Sequence, residues 1–157
     1  MAFERALTYL EQRGYGDRVK TFDVSSATVD LAAAALGVEP AAIAKTLSFY
    51  RGDRTILLLA AGDARVDNPK FKATFGTKAK MLRGDDVEQR VGHGIGGVCP
   101  FGVEDGCDVF LDRSLLAHDT VYPACGNAAS AVRLTPEELA SVLPDAEWVD
   151  VCRVPEA

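Results

Sequence analysis

The segment from Gly92 to Gly102 is the part of the chain whose composition first indicates chemistry. It reads G-H-G-I-G-G-V-C-P-F-G, and five of its eleven residues are glycine. Ordering so many glycines costs conformational entropy, so such a loop needs a compensating role. Glycines let backbone N–H groups approach a small ligand closely, and Pro100 stiffens the segment. The loop could therefore present N–H donors to a developing oxyanion, or form the wall of a small pocket.

Two other interpretations of this glycine loop remain open, a dinucleotide-binding loop and a tight surface turn. The loop lacks the G-x-x-x-x-G-K-[ST] pattern of a phosphate-binding P-loop. Gly92, Gly94 and Gly97 satisfy G-x-G-x-x-G, but Pro100 interrupts the helix that should follow in a dinucleotide-binding unit. A tight surface turn is the commonest fate of clustered glycines.

Lys45 is the second candidate, because it lies in the apolar stretch A-A-I-A-K-T-L-S-F. Lysine is rarely fully buried, so its ammonium could simply extend to water from the end of an apolar helix. Alternatively, Lys45 is a cation fixed at the edge of a cleft, where it would hold a phosphate or a carbonyl oxygen.

The cysteines, histidines and serines give weaker signals. The four cysteines (Cys99, Cys107, Cys125, Cys152) form no C-x-x-C, and His93 and His118 are far apart, so we expect no metal site. With no secretion signal, reduced thiols are favoured over disulfides. Cys99 is either a small hydrophobe under the loop or a thiol activated by loop amides. Ser130 lies in no G-x-S-x-G elbow.

Basic residues cluster in one segment of an otherwise acidic chain. The net charge is −6 and the isoelectric point is about 4.9, which argues against a general nucleic-acid coat protein. Against this background, one segment carries Lys70, Lys72, Lys78, Lys80 and Arg83. This segment is either a solvated face or the place where an anionic polymer binds.

Helix signals come from capping residues. Apolar and charged residues alternate at helical spacing over Phe3–Arg13. A second helix is expected from Thr28 to Gly37, and a short third one in P-A-A-I-A-K after Pro40. Further caps predict helices after Asp67, after Asp85 in a capping-box-like pair with Glu88, and after Thr135 in a capping box with Glu138.

Strand signals fill the remaining segments. T-L-S-F-Y and T-I-L-L-L-A-A flank R-G-D-R and predict a hairpin whose second strand is buried on both faces. Further strands are expected in K-A-K-M-L, C-D-V-F-L-D, T-V-Y-P-A, A-S-A-V-R-L and, at an edge, W-V-D-V-C. Gly126-Asn127 supplies a turn between two of them. With 157 residues, the chain fits one mixed α/β domain spanning residues 1–157.

No stretch of the sequence is apolar for long enough to span a membrane, and the N-terminus has no signal-peptide core. We therefore expect a cytoplasmic protein with no membrane association.

Several of these segments together resemble one family. A-L-G-V-E-P-A-A-I-A-K-T-L, L-L-L-A-A-G-D-A-R-V-D, G-I-G-G-V-C-P-F-G and Y-P-A-C-G-N are similar, in order and spacing, to the YbaK/ProX/EbsC family of aminoacyl-tRNA deacylases. The resemblance extends from about Thr21 to Leu143. It implies an α/β (α+β) fold in which a curved mixed β-sheet or barrel is flanked by helices.

The resemblance also implies an activity and a set of site residues. Such proteins are free-standing relatives of the editing domain in prolyl-tRNA synthetase, and they hydrolyse the ester of mischarged tRNA without a cofactor. The catalytic positions map onto Lys45, Gly96 and Gly97. Substrate contacts are expected from Pro100, Gly102, Gly126 and His93, although His93 and Gly94 stand where larger apolar residues are expected. Lys70, Lys72, Lys78 and Lys80 would bind tRNA.

Three functions follow as hypotheses. The first is deacylation in trans of a small amino acid (cysteine, alanine or serine) from mischarged tRNA, with tRNA for proline as the expected carrier and prolyl-tRNA synthetase as a possible partner. The second is a noncatalytic module of the same fold that binds aminoacyl-tRNA or a synthetase. The third is a hydrolase of small esters or amides that is unrelated to tRNA, whose turnover would lack the steep salt dependence of tRNA binding. The amino acid, the tRNA and the choice between monomer and homodimer stay open.

Overall fold

An antiparallel hairpin of two long strands forms the centre of the structure. The computed structural model describes residues 2–94 and 96–155. The strands in this part of the chain are β1 (Val19–Thr21), β2 (Ile43–Arg51), β3 (Arg54–Ala61), β4 (Arg65–Val66), β5 (Cys107–Asp112), β6 (Tyr122–Pro123), β7 (Ser130–Val132), β8 (Glu147–Val149) and β9 (Cys152–Arg153). The α-helices are α1 (Ala2–Glu11), α2 (Val29–Leu36), α3 (Asn68–Phe75), α4 (Gly84–Val91) and α5 (Pro136–Val142).

The principal sheet is mixed and strongly curled. Its strand order is β6-β2-β3-β5-β8. Within this sheet only the β2–β3 pair is antiparallel. β6 runs parallel to β2, β5 runs parallel to β3, and β8 runs parallel to β5. Two small antiparallel pairs, β1–β7 and β4–β9, complete the strands. The expected curved mixed sheet flanked by helices is confirmed.

Burial explains why β3 is the middle strand. From Thr55 to Ala61 every residue of β3 is buried, as its nearly continuous apolar sequence predicts for a strand covered on both faces. On one face, Phe49, Phe71, Phe75 and Phe110 form a chain of ring contacts with centroids 4.6–4.8 Å apart. This contact fixes α3 against the sheet. Among the described residues, no helix is long and apolar enough to cross a bilayer.

The helix caps are mostly where the sequence predicts them. The hydroxyl of Thr28 accepts from the Leu31 amide, and the carboxylate of Asp67 accepts from the Lys70 amide. Thr135 and Glu138 form the reciprocal bonds of a capping box. The predicted capping box of Asp85 and Glu88 is wrong, because α4 already begins at Gly84 and Arg83 is its N-cap, without a side-chain bond.

Two further sequence predictions require correction. The expected third helix is only a short 3-10 turn, Pro40–Ala42, after which β2 begins at Ile43. Pairing along the whole of β3 overrides the helix propensity of the alanines there. Lys45 therefore lies on a strand and not at a helix end. The expected strand K-A-K-M-L is reduced to a single bridge between Met81 and Phe49.

Candidate functional site

A cavity of about 370 Å³ opens between β2, the start of α2 and the glycine loop. Its walls also include the start of α4 and the β6–β7 region. The lining residues are Ser26, Ala27, Thr28, Val29, Ala32, Ile43, Ala44, Lys45, Thr46, Ser48, Met81, Leu82, Gly84, Val87, Gly96, Val98, Tyr122, Ala124, Ser130 and Ala131. Most are small or apolar, and the volume is near the lower end of the roughly 300–1,000 Å³ of small-molecule sites.

Lys45 supplies the cavity with its cationic side chain. It is half-buried on β2, directly opposite Ala60 of β3. Its Nζ donates to the carbonyl oxygen of Gly62 at 3.3 Å and to that of Ala64. Burial lowers the pKa of Lys45 below its ordinary value, and the nearby Cys152 and Asp63 oppose this shift. A half-buried ammonium interacts more strongly with a bound oxygen than one in bulk water does.

Close packing against two neighbouring segments orders the glycine loop. Gly96 lines the cavity with φ +88°, and a Cβ there would lie 2.9 Å from the Cβ of Ala27. A Cβ on Gly97 would lie only 2.4–2.6 Å from the backbone atoms of Asn127. Gly96 and Gly97 therefore allow the loop to approach the segments at Ala27 and Asn127 more closely than any larger residue could. The neighbouring Ile95 lies outside the described residues.

Lys45 and Gly96, two of the three predicted catalytic residues, line the same cavity. Gly97 does not line the cavity but packs closely against the backbone of the turn at Asn127. Gly126 precedes that turn with φ +87°, and a Cβ on it would lie 2.6 Å from the carbonyl oxygen of Ala2. The predicted site residues Gly97 and Gly126 thus shape the wall without lining the cavity.

The structure does not bring Pro100, Gly102 or His93 to the cavity. Pro100 and Gly102 line a separate groove of about 700 Å³ whose wall includes Asp105, Asp145 and Glu147. Although this groove is larger, its acidic wall repels phosphate, so we assign the candidate site to the cavity at Lys45.

His93 and Cys99, two residues of the glycine loop, are buried together in the protein interior. Both side chains have no exposed surface, and the Cys99 amide donates to Nδ1 of His93 at 3.3 Å. Burial raises the pKa of Cys99 far above its ordinary value and lowers that of His93. The hypothesis of an activated Cys99 thiol is contradicted, and Cys99 packs as a small hydrophobe. All four cysteines are free thiols.

A group of buried hydroxyls at the cavity is not apparent from the sequence. Ser26, Thr46 and Ser130 all line it, and their hydroxyl oxygens have no hydrogen-bond partner among the described residues. Buried hydroxyls are normally paired, because leaving one unpaired costs about 1–3 kcal/mol. The sequence carries no signal for this set, since the three residues belong to distant segments that the fold brings together.

The second half of the basic segment (residues 70–83) adjoins the cavity. Met81, Leu82 and Gly84 line the cavity, and the exposed Lys78, Lys80 and Arg83 lie beside them in the chain. Lys72 is exposed on α3. Lys70 differs, because its Nζ pairs with Asp150 at 3.1 Å. Lys78 and Lys80 are therefore exposed cations within a few residues of the cavity wall.

The fold and the cavity define the protein as a mixed α+β domain whose curled sheet carries a lysine-bearing pocket. The family model of the aminoacyl-tRNA editing domain matches residues 24–142. This segment contains every residue that lines the cavity. The chain belongs to the aminoacyl-tRNA editing domain family, and the sequence-based family assignment is confirmed.

The chain is also similar to individual proteins in sequence and in structure. The uncharacterized protein YwhH of Bacillus subtilis (strain 168) is 47% identical over 154 residues, which cover 98% of each chain. The crystal structure of a proposed trans-editing enzyme for prolyl-tRNA synthetase has a TM-score of 0.86 at 31% identity, over 97% of each chain. The hypothetical protein APE2540 has a TM-score of 0.84 at 26% identity, over 95% of this chain and 99% of its own.

Proposed function

We propose that this protein is a deacylase that hydrolyses the ester of mischarged tRNA in trans, with the cavity at Lys45 as its active site. The observation that carries the proposal is that Lys45 and the glycine loop share one small cavity. Membership of an editing family and likeness to a proposed trans-editing enzyme support the same activity. The single domain of residues 1–157 would act in the cytoplasm, as a monomer or a homodimer, without a cofactor.

The proposed chemistry needs few groups, because an aminoacyl ester is already activated. The oxygen of a water molecule attacks the carbonyl carbon, and the Lys45 ammonium and the amide of Gly96 stabilise the resulting oxyanion. The Gly97 amide already donates to the carbonyl oxygen of Gly94 at 3.1 Å, so Gly97 contributes by holding the loop in place. The bond between the carbonyl carbon and the ribose oxygen then breaks, and the proton from water passes to that ribose oxygen. The products are a free amino acid and a tRNA with a free terminal hydroxyl. A neighbouring ribose hydroxyl or a substrate thiol could orient the water.

Selectivity would come mainly from exclusion by size. The attraction of one extra methylene amounts to only about 1–3 kcal/mol, so a small cavity discriminates better by rejecting large side chains. Cysteine, alanine and serine fit such a pocket, and tRNA for proline is the proposed carrier, with prolyl-tRNA synthetase as a possible partner. The unpaired hydroxyls of Ser26, Thr46 and Ser130 offer hydrogen bonds to a polar acyl group or to the ribose.

A panel of mischarged tRNAs tests this function. Alanyl-, cysteinyl- and seryl-tRNA for proline are incubated with the wild-type protein, and the loss of the ester is followed. We expect at least one of these small amino acids to be released well above the spontaneous rate, and prolyl-tRNA to persist. Binding of all the charged tRNAs without hydrolysis would instead establish a noncatalytic module.

Salt dependence tests whether the exposed lysines Lys78 and Lys80 contact tRNA. In the variant Lys78→Gln/Lys80→Gln we expect KM to rise and kcat to stay unchanged, because phosphate contacts act before the chemical step. Each lost contact should reduce the slope of log K against log salt by about 0.7–0.9. Lys20→Gln, at the exposed lysine of β1, is the matched control and should behave as wild type. Equal salt slopes in all three proteins would remove Lys78 and Lys80 from the tRNA interface.

A further inference from the structure

The turn that follows β3 holds the ammonium group of Lys45. Lys45 faces Ala60 across the hairpin, β3 ends at Ala61, and the chain turns through residues 62–64. The carbonyl oxygens of Gly62 and Ala64 both accept from Nζ of Lys45. A lysine ammonium has three hydrogens to donate. Two of them are therefore taken by the turn, and one remains for a third acceptor.

The position of this turn depends on the absence of a side chain at Gly62. A Cβ there would lie 1.9 Å from the carbonyl oxygen of Pro40 and 2.9 Å from Cγ1 of Val29. The Gly62 amide also donates to the carbonyl oxygen of Ala41 at 3.3 Å. Backbone atoms cannot move aside as a flexible side chain can, so any larger residue at position 62 must displace the turn. Ala64, at its other end, is fully buried.

We propose that Gly62 is a positioning residue for Lys45: the turn 62–64 engages two hydrogens of its ammonium and aims the third into the cavity, toward the carbonyl oxygen of the scissile ester. The inference rests on the proposed deacylase function and assigns to Gly62 a role that it performs entirely through Lys45. A lysine side chain is long and flexible, so without these two acceptors its Nζ would sample many positions. A misplacement of about 1 Å in a reacting group can cost on the order of 10²-fold in rate.

A double-mutant cycle tests the proposal. We expect Gly62→Ala to lower kcat by about 10- to 100-fold with a smaller change in KM, since the bound geometry is what suffers. In the Lys45→Ala background the same substitution should change kcat less than twofold, because the ammonium that the turn positions is absent. A merely structural defect would lower the rate in both backgrounds, and that result would overturn the inference.

A matched glycine variant controls for lost stability. Gly52 lies in the β2–β3 turn with φ +62° and does not line the cavity. Gly52→Ala should lower the melting temperature through backbone strain but keep kcat. If Gly62→Ala does not fold, Ala64→Gly replaces it, because it loosens the same turn without adding an atom. The same cycle then applies.

The ammonium itself gives a readout that does not depend on activity. In protein labelled with ¹⁵N-lysine, we expect one ammonium resonance protected from exchange with water, and its absence from Lys45→Ala identifies it. Gly52→Ala should retain this resonance and Gly62→Ala should lose it. Retention in Gly62→Ala would overturn the inference. If the wild-type protein deacylates nothing, the proposed function fails, but the spectra still decide whether the turn holds Lys45.

Discussion

Replacing Lys45 by alanine is expected to lower kcat for deacylation by about 10²- to 10³-fold, as the removal of one oxyanion donor does in other enzymes. Lys45 is the cationic side chain of the cavity, and at least one of its ammonium hydrogens is free of the turn that holds it. The loss should appear mostly in kcat, because the interaction strengthens only as the oxyanion forms. Single-turnover deacylation of the best substrate in the mischarged panel measures it.

Lys45→Arg and the melting temperature make the Lys45 result interpretable. Arginine keeps the charge, but its planar fork cannot reproduce the bonds of the ammonium to Gly62 and Ala64, so we expect little rescue. The alanine variant should remain folded, since removal of the Lys45 ammonium also removes the free-energy cost of burying a charge. A folded Lys45→Ala protein with undiminished deacylation would exclude Lys45 from catalysis.

Gly97→Ala is expected to have the second large effect, on both stability and activity. The added Cβ would lie 2.4–2.6 Å from three backbone atoms of Asn127, which cannot yield without moving the turn at Gly126. Forcing atoms into a packed site costs about 1–3 kcal/mol, and in a chain of this length each kcal/mol lowers Tm by about 2–4 °C. The rate of deacylation should also fall, and by more than the loss of folded protein explains, because the amides of the loop would shift away from the substrate. Thermal unfolding by circular dichroism and kcat/KM measure the two effects.

Gly94→Ala is the control for the Gly97 experiment within the same loop. Apart from its neighbours in the chain, no described residue has an atom within 4 Å of a Cβ on Gly94, and the Gly94 backbone is not left-handed. Its melting temperature should therefore lie close to that of the wild type. Equal melting temperatures for Gly97→Ala and Gly94→Ala would mean that the loop does not depend on close contact with Asn127.

Local signals predicted much of the fold. Thr28, Asp67 and Thr135 begin helices where the sequence places caps, because a cap is a contact between residues three positions apart. The burial of β3 is readable from its apolar run. The helix predicted after Pro40 is wrong, because alanine favours helices and the strand partner that overrides this preference lies outside any local window.

The site was predictable only in part. Lys45 and Gly96 are visible in the sequence through their unusual neighbours, and the resemblance to a family links them. The hydroxyls of Ser26, Thr46 and Ser130 carry no such mark, since serine and threonine are common at caps and strands. The proposed roles of Gly97 and Gly62 depend on the distance from each glycine to a backbone segment elsewhere in the chain.

The sequence by itself determined the family, the principal caps and the central hairpin, and it indicated the lysine and the glycine loop as candidates for the site. These features are local, or they follow from the order and spacing of motifs along this chain, so they need no coordinates. Only the tertiary structure decided that Lys45 lies on a strand, that a turn holds its ammonium, and that His93 and Pro100 lie away from the cavity. Such facts arise from contacts between distant segments, because the curling of the sheet fixes which side chains meet.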